Sequence, residues 1–101
     1  MVIAMREFGR SLVTRASGRA AYAQIAETLD AAGDVVVFDF NGVDSITNSF
    51  ADEVFGHLVA DMGMDALRVR TTFAGIAPFW ARIVRSAMDA REAQRRELVT
   101  C

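Results

Sequence analysis

Lysine is absent from this chain of 101 residues, and all eleven of its basic side chains are arginine. Codon bias in a GC-rich genome accounts for that absence without any demand for guanidinium chemistry. Cysteine occurs once, at the terminal Cys101, which excludes an internal disulfide and a thiol pair for metal or redox work. That thiol is expected to be frayed and exposed. Histidine also occurs once, as His57, so there is no Cys-His pair, no second imidazole ligand and no zinc site of standard spacing. Gly9, Gly33, Gly42 and Gly75 never fall into the spacings of a phosphate-cradling loop. Apolar runs such as Val35–Phe38 are far below the roughly 20 residues that span a bilayer. Arg6, Glu7 and Arg10 break up the first ten residues, leaving no signal-peptide core. These absences lead to the expectation of a cytoplasmic chain with no membrane partner and no cofactor.

What is present is the composition of a folded domain, 52% apolar and 24% charged, in a length that holds one core, so residues 1–101 are read as one domain. The charge is polarised along the chain. Between Ala20 and Leu67 lie nine acids (Glu27, Asp30, Asp34, Asp39, Asp44, Asp52, Glu53, Asp61 and Asp65) and no lysine or arginine, while the remainder sets eleven arginines against four acids. Such an acidic middle repels phosphate backbones and argues against nucleic acid, leaving that option only to the arginine-rich tail.

Hydrophobic spacing predicts the elements. Val2–Met5 and Leu12–Val13, separated by Gly9, suggest a short hairpin. Ala20, Tyr22, Ile25, Ala26 and Leu29 recur at helical spacing, which predicts a helix over 17–31 with Ser17 as its cap. Val35–Phe40 reads as the core strand, apolar on both faces, and the segment after it as a loop. Phe50, Val54, Leu58 and Met62 predict a helix over 49–62, with Asp52, Glu53, Gly56 and Ala60 facing away. Leu67, Val69 and Thr71 alternate with arginines like a strand with one wet face. Ile76 to Met88 repeats at helical spacing, with Pro78 in the first turn. The order ββαβαβα implies an α/β fold with a mixed sheet of about four strands and helices packed against it.

The candidate chemistry is sparse. Glu53, His57 and Asp61 fall at i, i+4 and i+8 on one helical face, but that face is the solvated border of an amphipathic helix and no metal is expected there. Asp39, Asp52 and Glu53 can be read as paired carboxylates at a strand end and a helix start, the basis of an alternative as a small acid/base enzyme or nucleotide-binding module. The plainer reading lets Asp39 cap a loop while Asp52 and Glu53 favour a helix N-terminus. Asp39–Glu53, a buried strand, a polar loop and a helix whose first turn holds Asn48 and Ser49, stands out. Loops at the C-terminal edge of a sheet are exposed yet held by a rigid scaffold. Ser49 can serve there as the N-cap, with Asp52 three residues on.

Asp39, Phe40, Val43, Thr47, Ser49, Phe50, Ala51, Asp52 and Glu53, with Thr14-Arg15 upstream before an alanine-rich helix, carry a resemblance. The chain resembles the STAS-like domain family of unknown function, which looks related to the STAS domains of anti-sigma-factor antagonists. That resemblance implies a signalling domain that pairs with a histidine-kinase-like ATPase or a related regulator. It also places on Ser49 the serine whose phosphorylation, within an Asp-Ser-Ser-Gly motif, switches those antagonists. Thr47, Asn48 and Phe50 depart from that motif. Asp52 and Glu53 add repulsion against a phosphate on Ser49.

The resulting expectation is a non-catalytic docking domain. Its partner-binding residues are Asp39, Asn41, Thr47, Asn48, Ser49, Phe50, Asp52 and Glu53, with Asp39 and Asn41 shaping the loop, Asn48 and Ser49 capping the helix, and the two acids matching a basic partner. Binding through such charges weakens with salt. The remaining alternative is homotypic assembly, with the arginine-rich last helix of one copy on the acidic block of another.

Overall fold

The computed structural model describes residues 1–100, with side chains through Glu97; Cys101, and with it the expectation of an exposed thiol, lies outside the described residues. Val2–Ala4 forms β1 and Ser11–Leu12 forms β2, but the two do not make a hairpin. Between them Met5–Phe8 winds into one 3-10 turn that carries Met5 fully into the core, so β2 leaves in a new direction. Helix α1, Arg15–Ala31, buries Gly18, Ala21, Ile25 and Leu29, the i, i+3, i+4 stripe of a helix lying on a core. It starts two residues before Ser17 because Thr14 is the cap, its hydroxyl accepting the Ser17 amide at 3.1 Å. β3 is Val36–Asp39, and the segment expected as loop contains a further short strand, β4, Ser45–Ile46.

The fold is α/β, as expected, but the mixed sheet of about four strands is replaced by two parallel sheets. One has the order β1-β3-β5, with β5 at Thr71–Ala74, and the other pairs β2 with β4. Ile3, Phe38 and Phe73 share one register row, and Val2, Val37 and Thr72 the neighbouring one. Since successive strand side chains point to opposite faces, the first row lies under the helices and the second does not. Phe38 is fully buried, whereas Val2 remains 61% exposed. The core strand is therefore sealed on one face only, a correction to its reading as apolar on both sides.

A continuous helical rod follows: α2, Asn48–Ala51, passes through a wide π-turn at Asp52–Gly56 into α3, His57–Met62, with helical dihedrals across both junctions. Val54, Phe55 and Gly56 are buried one after another. Three consecutive buried positions mark a helix covered on several sides. Phe55 seals the sheet, meeting Phe38 edge-to-face at 5.1 Å and Phe73 at 5.4 Å, a geometry that adds to simple burial.

Residues 67–71, expected as a strand, belong mostly to helix α4, Met64–Arg70. Met64 and Leu67 are its buried positions, Thr71, buried one turn further on, opens β5, and Val69, which a strand would turn inward with Leu67, is 76% exposed. The spacing i, i+3, i+7 wins over the alternation with arginines. The last helix, α5, spans Pro78–Thr100 with Pro78 as its first residue, where a missing N–H costs nothing.

Two glycines let the flanking helices close on the rod. A Cβ on Gly18 would stand 2.9 Å from Cβ of Glu53, and one on Gly56 would stand 2.8 Å from Cγ of Arg91. Gly56, expected to face away, is thus the point where α5 crosses.

Candidate functional site

The C-terminal end of β3 opens into a loop held by its own polar groups. Asp39 accepts from the Asn41 amide at 3.0 Å and from its Nδ2 at 2.8 Å, so these two residues shape the loop as expected. The loop then lies along β2. The Asp44 amide donates to the Arg10 carbonyl at 2.7 Å and the Thr47 amide to the Leu12 carbonyl at 3.0 Å.

Thr47 fixes the start of the rod. Its hydroxyl donates to the Val13 carbonyl at 2.6 Å and accepts the Phe50 amide at 3.3 Å, serving at once as N-cap and as a clamp to the neighbouring strand. Asn48 and Ser49, expected as the caps, are instead the first two helical residues. Asn48 is exposed and Ser49 half-buried. The Ser49 hydroxyl has no hydrogen-bond partner among the described residues, and no buried side-chain oxygen there lacks one, so this hydroxyl reaches water.

Phe50, expected on the docking face, is fully buried in the core. An aromatic ring of this size is worth more inside than at a rim, and it offers a partner no surface.

Asp52 and Glu53 do not point freely outward. Arg15, at the start of α1, reaches Asp52 at 2.9 Å and Glu53 at 3.0 Å. From α5, Arg91 forks onto Asp52 through Nε at 2.7 Å and Nη2 at 3.1 Å, the bidentate geometry in which guanidinium-carboxylate bonds are strongest. The Arg91 hydrogen bond holds the Asp52 carboxyl below its ordinary range, opposed by burial and aided by Arg15. These two acids therefore tie three helices together, and each already faces an arginine within the chain. The same pairing offsets the repulsion expected against a phosphate on Ser49.

The three potential ligands on the rod have separate engagements. Glu53 faces Arg15, while His57 stacks on Tyr22 with ring centroids 3.8 Å apart and planes 5° from parallel. The Tyr22 hydroxyl donates to Asp61, which also lies 3.8 Å from His57 Nε2. Burial, chiefly, and then the Asp61 bond push the Tyr22 phenol up to about 12. Among the described residues no three His, Cys, Asp or Glu side chains converge as a metal group.

Arg15 and Arg91, the residues that decide the electrostatics, were not assigned to the site from sequence. Arg15 was visible only as part of the Thr14-Arg15 pair, and Arg91 sits 39 residues from Asp52, beyond any local pattern. The π-turn had one sequence signal, a glycine inside an otherwise apolar helix.

A capped helix start, carried at the C-terminal edge of a parallel sheet and presenting a solvated hydroxyl, is the site that this small α/β domain builds around Ser49. The model of a family described as the STAS-like domain of unknown function (DUF4325) matches residues 17–78. The chain belongs to that family. No curated protein and no solved structure matches it significantly.

Proposed function

We propose that this chain is a regulatory protein-protein interaction domain that docks, without catalysis, onto a histidine-kinase-like ATPase or a related cytoplasmic regulator. Contact falls on Asn41, Thr47, Asn48 and Ser49, with Ser49 as the phospho-acceptor that switches the complex. One observation carries the reading: the Ser49 hydroxyl is solvated and unpaired on a helix turn that Thr47 holds rigid. A preorganised surface loses little freedom on binding.

Asp52 and Glu53 act here as supports, so salt weakens the complex less than free carboxylates would imply. Held ionised by two guanidiniums, Asp52 is a poor proton donor, which favours docking over an acid/base enzyme using Asp39, Asp52 and Glu53. No helix among the described residues is long and apolar enough to cross a membrane, which is compatible with a cytoplasmic regulator.

The test uses a histidine-kinase-like ATPase from the same genome. Calorimetry is expected to give a complex that Asn48→Arg and Ser49→Arg each weaken at least about tenfold, and mass spectrometry after incubation with ATP to find phosphate on Ser49. Unchanged affinity in both arginine variants would overturn the docking surface; absence of phosphate alone would remove only the switch.

A further inference from the structure

A second surface lies away from Ser49. β5 ends the three-stranded sheet, and among the described residues no strand pairs with its outer edge. Beside it is a groove of about 310 Å³ whose lining includes three successive β5 residues, Thr71, Thr72 and Phe73, together with Ala81, Val84, Arg85 and Met88 of α5. Consecutive strand residues point to opposite faces, so a cavity touched by all three runs along the strand's edge. The α5 residues fall at i, i+3, i+4 and i+7, one stripe turned toward that edge.

The floor is apolar, with Val84 3% and Met88 6% exposed. Arg68 and Arg85 supply the only charges in the lining. Arg85 faces Asp89 across 3.6 Å with both side chains more than half exposed, a pair worth little, and Arg68 has no hydrogen-bond or ion-pair partner among the described residues. Residues 81 to 88 of a helix rise about 10 Å, the length of about three residues of extended chain. Edge, length and charge together describe a slot for an added strand.

We infer that the groove between β5 and α5 binds an extended segment of a partner protein in which apolar residues alternate with Asp or Glu, adding a strand to the sheet at β5. Backbone amides of the edge supply the ladder, the apolar floor takes one side chain and the two guanidiniums take the carboxylates. A second copy of this chain is a poorer occupant, since a symmetric pairing of β5 with itself brings the arginine pairs toward one another. The inference is independent of the Ser49 surface.

A random heptapeptide library displayed on phage and selected on the full chain tests it. The expected binders alternate apolar and acidic residues. Adding the best synthetic peptide shifts the backbone amide resonances of Thr71–Ala74 and of residues 81–88. The double variant Arg68→Glu, Arg85→Glu, altered only at exposed positions, weakens that peptide at least about tenfold. Methylating its alternate backbone nitrogens does the same, because strand addition needs those donors, and Ser49→Arg leaves its affinity unchanged. No enriched peptide, equal binding by the double variant, or equal binding of the methylated peptide overturns the proposal. So does octanoate, if it shifts the same resonances more tightly than any peptide, since the groove is then a small-molecule site.

Discussion

Asp52 is the side chain on which the arrangement of α1, α5 and the rod depends, and truncating it to alanine isolates that dependence. Three charge-assisted bonds end on its carboxylate, from Arg15 and twice from Arg91. Such bonds are worth roughly 1.5–3 kcal/mol when sheltered. The Asp52 side chain is 26% exposed and that of Arg91 27%, so solvent screens part of this and the freed guanidiniums regain water. The expected loss is about 2 kcal/mol, a fall in Tm of about 10 °C for a domain of this size. The pH dependence has a definite sign. Arg91 depresses the folded carboxyl, so the unfolded chain takes up protons first. The stabilisation is complete above the unfolded value of about 3.9 and is lost as pH falls through the lower folded value. Urea unfolding of wild type and Asp52→Ala from pH 7 down to 2.5 is expected to show two curves that converge on acidification. A difference below about 0.5 kcal/mol at pH 7, or one that persists undiminished at the acid end, refutes the assignment of Asp52 as a structural hub.

Thr47→Val keeps the shape and removes the hydroxyl, so thermal unfolding is expected to show a loss of about 1–2 kcal/mol, largely restored by Thr47→Ser. The single tyrosine gives a direct optical test: absorbance at about 295 nm, where phenolate absorbs, is expected to titrate in the folded chain near 12 and lower in Asp61→Asn. Because the fold holds this proton more tightly than the unfolded chain, its contribution is complete below about pH 10 and disappears as pH climbs through the folded value. Phe50→Ala is expected to cost about 3–5 kcal/mol by leaving a cavity, whereas Asn48→Ala stays within about 0.5 kcal/mol; equal costs in chemical denaturation contradict the placement of one ring inside and one amide outside.

Several features were legible because they rest on local periodicity. The stripe in α1, the β-branched and aromatic run of β3, the long rod behind Phe50, and Pro78 at the start of α5 are each short-range patterns. Caps slipped by three residues and by two, Thr14 for Ser17 and Thr47 for Ser49, since neighbouring Ser, Thr and Asn compete for the same amides. The region 67–71 misled because arginines at alternate positions imitate a strand, and only burial shows that Val69 faces water. The hairpin failed because pairing partners lie 35 and 34 residues apart, Val2 with Val37 and Leu12 with Ile46.

The sequence by itself determined that this is an α/β chain, because hydrophobic spacing is a property of short segments, and the motif around Ser49 carried the resemblance to the STAS-like family whose model matches residues 17–78. Tertiary structure alone decided what the charges do. The apparent polarity between an acidic middle and arginine-rich ends dissolves where Arg15 and Arg91 close on Asp52, for an ion pair is governed by distance in space and by the dielectric around it, and neither is written in the order of residues.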